Sequence, residues 1–500
     1  MDVETVPEPS EGYLARFLAR DEIEVHLLMP PGQTDPPAAW VELLHKPVVH
    51  NVKFTTVAKA GRFGDAAEFS ITTKRENEEG WSLARFFPAL QQFDDRTAPA
   101  DTPLLSLDER HVAAAYAAGA GAVEVDAIVT NRATASRADV GDNDIVIAVT
   151  PVDAVALIGH YLRLTSNPIV GVDVSQVIGG GIATTTESTG TVLNSYLWGI
   201  ASAMPYFDVS VSHIGGAQGG PAVAQALQSV HVRLSRAARA LDHMLAALSN
   251  PLNNRKADVV EAAAEAFDRE LLYLSAVFDI YGRLYRTLIN PSIGMDDVRD
   301  SLDSRAFIAR HLRTQYDEPL LTDVVRLQVY AWVCKQFRNH IHEGVLDVVP
   351  QPGRQYGNAA TVALNLAAIP GLAPGADNGM EQDHYDLLGV WLADPLDPFG
   401  TPAMVADLAT AGFALMGAAL EYVEAFTKLI LCNKPATMIA LRQAATQHTS
   451  GECADPSEAE IPPSRFLGCV EIKPGEVEPP PPERAKFHRA IFGWHPASMS

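Results

Sequence analysis

Steps of three and four between apolar positions dominate the second half of the chain. In ADVVEAAAEAFDRELLYLSAVFDIYGRLYRTLIN, Val260, Phe267, Leu271, Leu274, Val277, Phe278, Tyr281 and Tyr285 keep that rhythm with one longer skip. The spacing predicts a long amphipathic helix with one buried face. LTDVVRLQVYAWVCKQFRNHIHEGVL repeats it through Leu327, Tyr330, Cys334, Phe337, Ile341 and Val345, and AMVADLATAGFALMGAALEYVEAFTKLIL predicts a further long helix.

The first half reads differently. EIEVHLLMP (22–30) and PVVHNVKFTTVA (47–58) predict strands around a Pro-rich loop, with helix-like stretches after them. LDERHVAAAYAAGAGAVEVDAIVTN then predicts an Ala-rich helix, a Gly turn and a short buried strand. DIVIAVTPVDAVALIGHYLR predicts strand, turn and helix, with Thr150 as the cap and Pro151 at the helix start, where its missing N–H costs nothing. Such alternation implies a largely parallel sheet with helices on its faces.

These patterns predict an α+β multidomain chain. An N-terminal α/β domain over 13–165 carries the parallel sheet, and a Gly/Ser/Thr-rich connector covers 166–227. A larger all-α helical bundle follows over 228–450, interrupted by a loop rich in Gly, Pro and Asn at roughly 350–380. A Pro-rich acidic tail over 451–500 is expected to be surface-draped or disordered.

Composition adds exclusions. The 500 residues exceed what one hydrophobic core usually serves. The formal charge of −23 repels phosphate backbones at long range, which argues against broad non-specific nucleic-acid binding. Cys334, Cys432, Cys453 and Cys469 form no C-x-x-C pair, so neither a zinc knuckle nor a disulfide scaffold is indicated. No basic leader and no apolar run of membrane-spanning length is seen, and a cytoplasmic protein without membrane partners is expected.

The densest chemistry lies in FRNHIHEGVL, 337–346. Arg338 and His342 are four apart and share one flank of the helical seam. His340 and His342 are two apart and point to nearly opposite sides, so they do not chelate one ion together. Two readings stand. In the first, His342 moves a proton near neutral pH while the always-charged Arg338 holds a scissile phosphate. In the second, cations near a helix end answer its dipole, with Glu343 and Asp347 as counter-charges and Gly344 as terminator.

FRNHIHE on a long helix, preceded by LLYLSAVFDIYGRLY, resembles the HEPN superfamily over about 230–350, with 380–435 as the completion of the bundle. The resemblance implies an all-α bundle working as a homodimer and cleaving RNA without metal or other cofactor, as a toxin or antiviral effector. It also implies roles: Arg338 binds phosphate, Asn339 orients it, His342 is the acid/base, and Asp279 is the acidic partner from the preceding helix. The family leaves four to six residues between its Arg and His, whereas three separate Arg338 from His342. That departure keeps open a non-catalytic HEPN-like protein whose partner is another protein.

SLDERHVAAAYAAGA, VDAIVTNRA and IVIAVTPVDAVALIG are similar to the closing half of PIN-type nucleases, over about 100–165. That chemistry needs carboxylates converging on two metals. Asp108 matches one place, but Asn131 and Arg132 stand where an Asp commonly follows the VT strand, and Asp126 suits a cap or turn. The resemblance implies a degenerate copy that holds no metal. Two weaker candidates are QDHYD, with His384 between Asp383 and Asp386, and the Arg233, Arg236 and Arg239 stripe, which suits RNA or solvent equally. No G-x-x-x-x-G-K-[ST], G-x-S-x-G or H-E-x-x-H is present.

Overall fold

The computed structural model describes residues 1–8, 13–28, 36–44, 48–50, 57–58, 67–75, 78–86, 125–131, 147–165, 168–178, 181–189, 192–208, 210–211, 220–249, 254, 256–290, 293–294, 299–352, 360–372, 378–393, 403–433 and 492. The chain divides into two compact units. The first comprises 1–161 with 249–257 and 350–361, and the second comprises 162–248, 258–349 and 362–500.

In the first unit, α1 (Tyr13–Leu18) and α2 (Ala38–Leu44) accompany β1 (His26–Leu28) and β2 (Val48–His50), which pair in parallel over three residues. The expected pairing of VDAIVTN with DIVIAVT is present: β6 (Ala127–Val129) runs parallel to β7 (Ile147–Val149). α3 (Pro151–Leu164) then begins as the sequence predicts. Thr150 Oγ1 accepts from Asp153 N at 3.2 Å and donates to Asp153 Oδ2 at 2.7 Å, which satisfies an otherwise orphaned donor of the first turn.

Three expectations for this half are corrected. The helix-like stretches expected after the second strand are not what the described residues there form: β4 (Ala67–Arg75) and β5 (Glu78–Phe86) make an antiparallel sheet with β3 (Val57–Ala58), Arg75 paired with Glu78. Only the two short pairs are parallel, so the described strands do not make a largely parallel sheet. The helix expected before Gly119, with Asp108, lies outside the described residues.

Within the stretch read as a connector, 166–227, the described residues include regular structure. β8 (Ile169–Ile178) and β9 (Gly181–Thr189) form an antiparallel hairpin with a bulge between Ile169 and Gly171, and α4 (Val192–Ala203) follows. β-branched residues at the pleat outweigh a loop-like composition once a partner strand is supplied.

The long helices of the second unit are α5 (Gly220–Ala247), α6 (Ala257–Ile289), α8 (Glu318–Glu343) and α10 (Leu408–Cys432); α7 (Arg305–Phe307) is a single turn that runs into a π turn over 308–312. α6 buries Phe267, Leu271, Leu274, Val277, Phe278, Tyr281 and Tyr285, the seam its spacing predicts. α10 starts where Asp407 Oδ1 accepts from Thr410 N at 2.8 Å. Its main helical neighbour is α8. An aromatic cluster ties the helices together: Phe426 stacks edge-on to Tyr281 and Tyr285, Phe307 to Tyr285, and Phe267 to Phe337. The Tyr281 hydroxyl bonds the Thr427 hydroxyl inside it.

This unit is not all-α. β10 (Val348–Pro352), β11 (Ala360–Asn365), β12 (Val390–Ala393) and β13 (Ala403–Asp407), with α9 (Gln382–Leu387), occupy the stretch between α8 and α10, in the order β10-β11-β13-β12, residues 350–352 and 360–361 being counted with the first unit. β11 and β12 both pair antiparallel to β13, and Ala363, Ala393 and Val405 form a small core there. The expected 350–380 loop therefore contains a strand and two tight turns, 366–368 and 370–372. Of the acidic tail, Phe492 is described, and it is buried. No helix among the described residues is long and apolar enough to cross a membrane.

Candidate functional site

α8 carries the Arg-Asn/His stretch on its last turns. Asp317 precedes the helix in extended backbone and Pro319 sits in its first turn, where a missing N–H is tolerated. Leu327, Tyr330, Cys334 and Phe337 are buried as predicted. The seam then leaves the core: Ile341 is half-buried and Val345 is 80% exposed. The helix stops at Gly344, whose N–H donates to the His340 carbonyl at 2.8 Å.

Arg338 is half-buried, and Asn339 and His342 are exposed. No side-chain hydrogen bond or ion pair of any of the three is found among the described residues. The expected counter-charges do not engage them. Asp347 takes a 2.7 Å bond from Asn365 Nδ2, and its carbonyl accepts from Asn365 N at 2.8 Å. Glu343 is exposed.

Asp279 is not brought to Arg338. Its neighbour Phe278 accepts from Leu302 N at 3.2 Å, and Gln328 Nε2 donates to the Leu302 and Ser304 carbonyls at 3.4 and 2.6 Å. Phe267 meets Phe337 eleven residues earlier in α6, so α6 and α8 run antiparallel. Asp279 therefore lies towards the Gln328 level of α8 rather than at its C-terminal end, where Arg338 stands. It acts instead on Asp303, whose carboxyl is raised by burial, pulled down by Lys335 Nζ at 2.9 Å, and pushed up slightly by Asp279.

In the first unit, Asp108 and Arg132 fall outside the described residues. Asn131 is exposed and donates through Nδ2 to the Thr5 carbonyl at 2.9 Å. Beside it stands a carboxylate that sequence reading did not find. Asp2 N donates to the Val129 carbonyl at 2.9 Å, which puts the buried Asp2 at the C-terminal end of β6. Its carboxylate accepts from Thr5 Oγ1 at 2.8 Å and from Thr130 Oγ1 at 2.7 Å. Among the described residues no three His, Cys, Asp or Glu side chains converge as metal ligands. Asp126 lines a cavity of about 420 Å³ with Glu22, Glu24, His26, Ile128 and Leu157.

The weaker candidates resolve simply. His384 Nδ1 accepts from Glu381 N at 2.9 Å, a cap at the start of α9, and its ring packs on Tyr330. In the basic stripe, Arg233 donates to Ser229 Oγ at 3.3 Å, Arg236 lies over the Tyr273 ring, and Arg236 and Arg239 are exposed.

A second missed residue is Glu270. It sits three after Phe267 on the buried seam of α6, and both carboxyl oxygens are buried without a hydrogen-bond partner. Burial pushes its carboxyl well above the usual range, and the buried Cys334 thiol is pushed up by burial and then by Glu270. The signal was in the spacing, since a Glu falling on an apolar seam has no route to water.

Compared with protein-family models, curated proteins and solved structures, the chain matches none.

Proposed function

We propose that the C-terminal end of α8 is a metal-independent RNA-cleaving site, used by a toxin or defence effector that works as a homodimer in the cytoplasm. The observation that carries this reading is that Arg338 and His342 stand one turn apart at an open helix end, with no carboxylate engaging either among the described residues. An unneutralised guanidinium is available to a phosphate, and an imidazole beside it can move a proton at neutral pH. His342 takes the proton of the ribose 2′-hydroxyl as that oxygen attacks phosphorus. The 5′ oxygen leaves and takes a proton from a second imidazole, supplied by a second copy of the chain. Arg338 holds the phosphoryl oxygens and Asn339 orients them.

Asp279 has no part in this scheme, because the helices hold it apart from Arg338. That separation, with the short Arg338–His342 spacing, favours a second reading: a HEPN-like protein without catalysis that binds another protein. Purified wild type and His342→Ala, incubated with RNA in EDTA, separate the two. Fragments ending in a 2′,3′-cyclic phosphate from wild type alone support cleavage. No fragments from either, with a folded dimer in hand, supports the interaction reading.

A further inference from the structure

The opposite end of the same helical unit assembles charges that the sequence keeps apart. Gly282 lets the chain after α6 press back on the helix: a Cβ there would stand 2.8 Å from the Asp300 carbonyl oxygen and the Ser301 Cα. The return sets Asp300 against Arg286, one turn further along, and Arg286 Nε donates to Asp300 Oδ2 at 2.9 Å. The π turn supplies the third group. Arg313 N donates to the Ile308 carbonyl at 3.0 Å, a five-residue closure that leaves Ile308 and Leu312 both buried. His311, on that turn, holds Nε2 3.2 Å from the same Asp300 oxygen, and its ring packs edge-on to buried Phe307. Single π turns are rare and concentrate at functional sites.

The side chains of Arg286, Asp300 and His311 are 23%, 29% and 14% exposed, so the cluster is held in place with its edge open to solvent, while His311 Nε2 itself is buried. Arg310 stands exposed on the same turn and acts on His311 together with Arg286. Two guanidiniums against one carboxylate leave a net positive charge among the described residues of this cluster, in a chain of formal charge −23. Arg286 commits only Nε to Asp300, which leaves its two terminal nitrogens as donors. Burial first, then Arg286 and Arg310, hold His311 below the usual imidazole range, and Asp300 partly offsets them. The ring therefore holds a proton less readily than an ordinary imidazole, and a second anion nearby would favour its protonated form.

We propose that Arg286, Arg310 and His311, oriented by Asp300, bind a doubly charged phosphate group, on a small phosphorylated molecule or at the 5′ end of a nucleic acid. The site does not rest on RNA cleavage at α8. Planar guanidiniums match phosphate oxygens, and a proton gained by His311 adds a third charge-assisted bond.

The test is an NMR titration of the full chain carrying labelled imidazoles, with inorganic phosphate as the probe and His311→Asn to assign the signal. The expected result is a saturable shift of the His311 signal and an upward move of its titration midpoint with phosphate bound. Arg310→Gln, which alters an exposed side chain and spares the fold, is expected to weaken binding about tenfold, the worth of one bond to a charged group. Adenosine monophosphate and a 5′-phosphorylated oligoribonucleotide then distinguish the source: equal affinity assigns the phosphate alone, and a stronger oligonucleotide assigns the nucleic-acid end. A His311 signal unmoved by millimolar phosphate, or binding unchanged in Arg310→Gln, overturns the proposal. Cleavage lost in His342→Ala with phosphate binding intact tells the two sites apart.

Discussion

Arg163 and Asp242 meet as a two-pronged pair inside the second unit, Nε to Oδ2 at 2.7 Å and Nη2 to Oδ1 at 3.0 Å. The Tyr196 hydroxyl donates to the same carboxylate at 2.7 Å, and the Phe492 ring lies 3.9 Å from the guanidinium carbon. Removing Asp242 takes the two-pronged carboxylate partner away from a buried guanidinium. Asp242→Ala is expected to cost about 3–5 kcal/mol of stability, measured by urea unfolding of the helical circular-dichroism signal. The double change Arg163→Met with Asp242→Leu is expected to cost less than Asp242→Ala alone. A double variant at least as unstable as the single one would show that the pair is worth more than its desolvation.

Phe492 is the point where the far C-terminal region meets this pair. Its ring fills the hollow at Gly199, where a Cβ would stand 2.2 Å from a ring carbon. Phe492→Ala is expected to destabilise the second unit by about 3 kcal/mol, the lower end for a buried aromatic. Loss of protection from proteolysis around α4 is the accompanying readout.

Three glycines offer a graded series. At Gly282 a Cβ would meet the backbone of residues 300 and 301, which cannot step aside without moving the loop that positions Asp300. At Gly412 it would come within 2.5 Å of Met244 Cε, the end of a flexible side chain, and 3.1 Å of Glu270 Oε2. At Gly344 nothing lies within 4 Å. The expected order of cost on substitution by Ala is Gly282 first, about 1–3 kcal/mol, then Gly412, then Gly344 within about 0.5 kcal/mol of wild type. Chemical denaturation of the three variants checks the order, and a Gly412 cost above that of Gly282 contradicts it.

Local signals were the legible ones. The α6 seam was readable because a 3.6-residue period writes itself into neighbouring positions, and Thr150-Pro151 marked the start of α3 because a cap and a first-turn Pro are local chemistry. The hairpins β4–β5 and β8–β9 were not, since their partners lie outside any helical window and Ser/Thr/Gly composition looks like a loop. The same holds for charge. Arg338 and His342 were visible as neighbours four apart, but Arg286, Asp300 and His311 meet only because Gly282 admits the returning chain and a π turn swings His311 inward. Only the family resemblance puts Asp279 with Arg338, and the antiparallel run of α6 and α8 separates them.

That separation makes its own prediction. Asp279→Asn is expected to leave RNA cleavage by the α8 site unchanged while Arg338→Ala abolishes it, measured with labelled RNA in EDTA. A loss on Asp279→Asn equal to the loss on Arg338→Ala, with stability unchanged, would mean that a second copy brings Asp279 to the site.

Glu270 gives the sharpest pH dependence. Its folded-state pKa is raised by burial and its unfolded value is that of an ordinary carboxyl, so the folded state holds the proton more tightly. The sign follows: the contribution to stability is fully present below the unfolded pKa and is lost as pH climbs from there through the raised folded value. At pH 8 the chain must either bury an unpaired carboxylate or keep a proton that solvent would remove. Met fills nearly the same volume without a charge, so Glu270→Met is expected to stabilise the second unit at pH 8 by about 1–3 kcal/mol. At pH 4 the two proteins should differ little. Urea midpoints of both across that range read the difference directly, which cancels every group they share. A stabilisation that does not grow with pH would mean that Glu270 finds a partner when ionised, for which Cys334 and the chain at Gly412 lie close by.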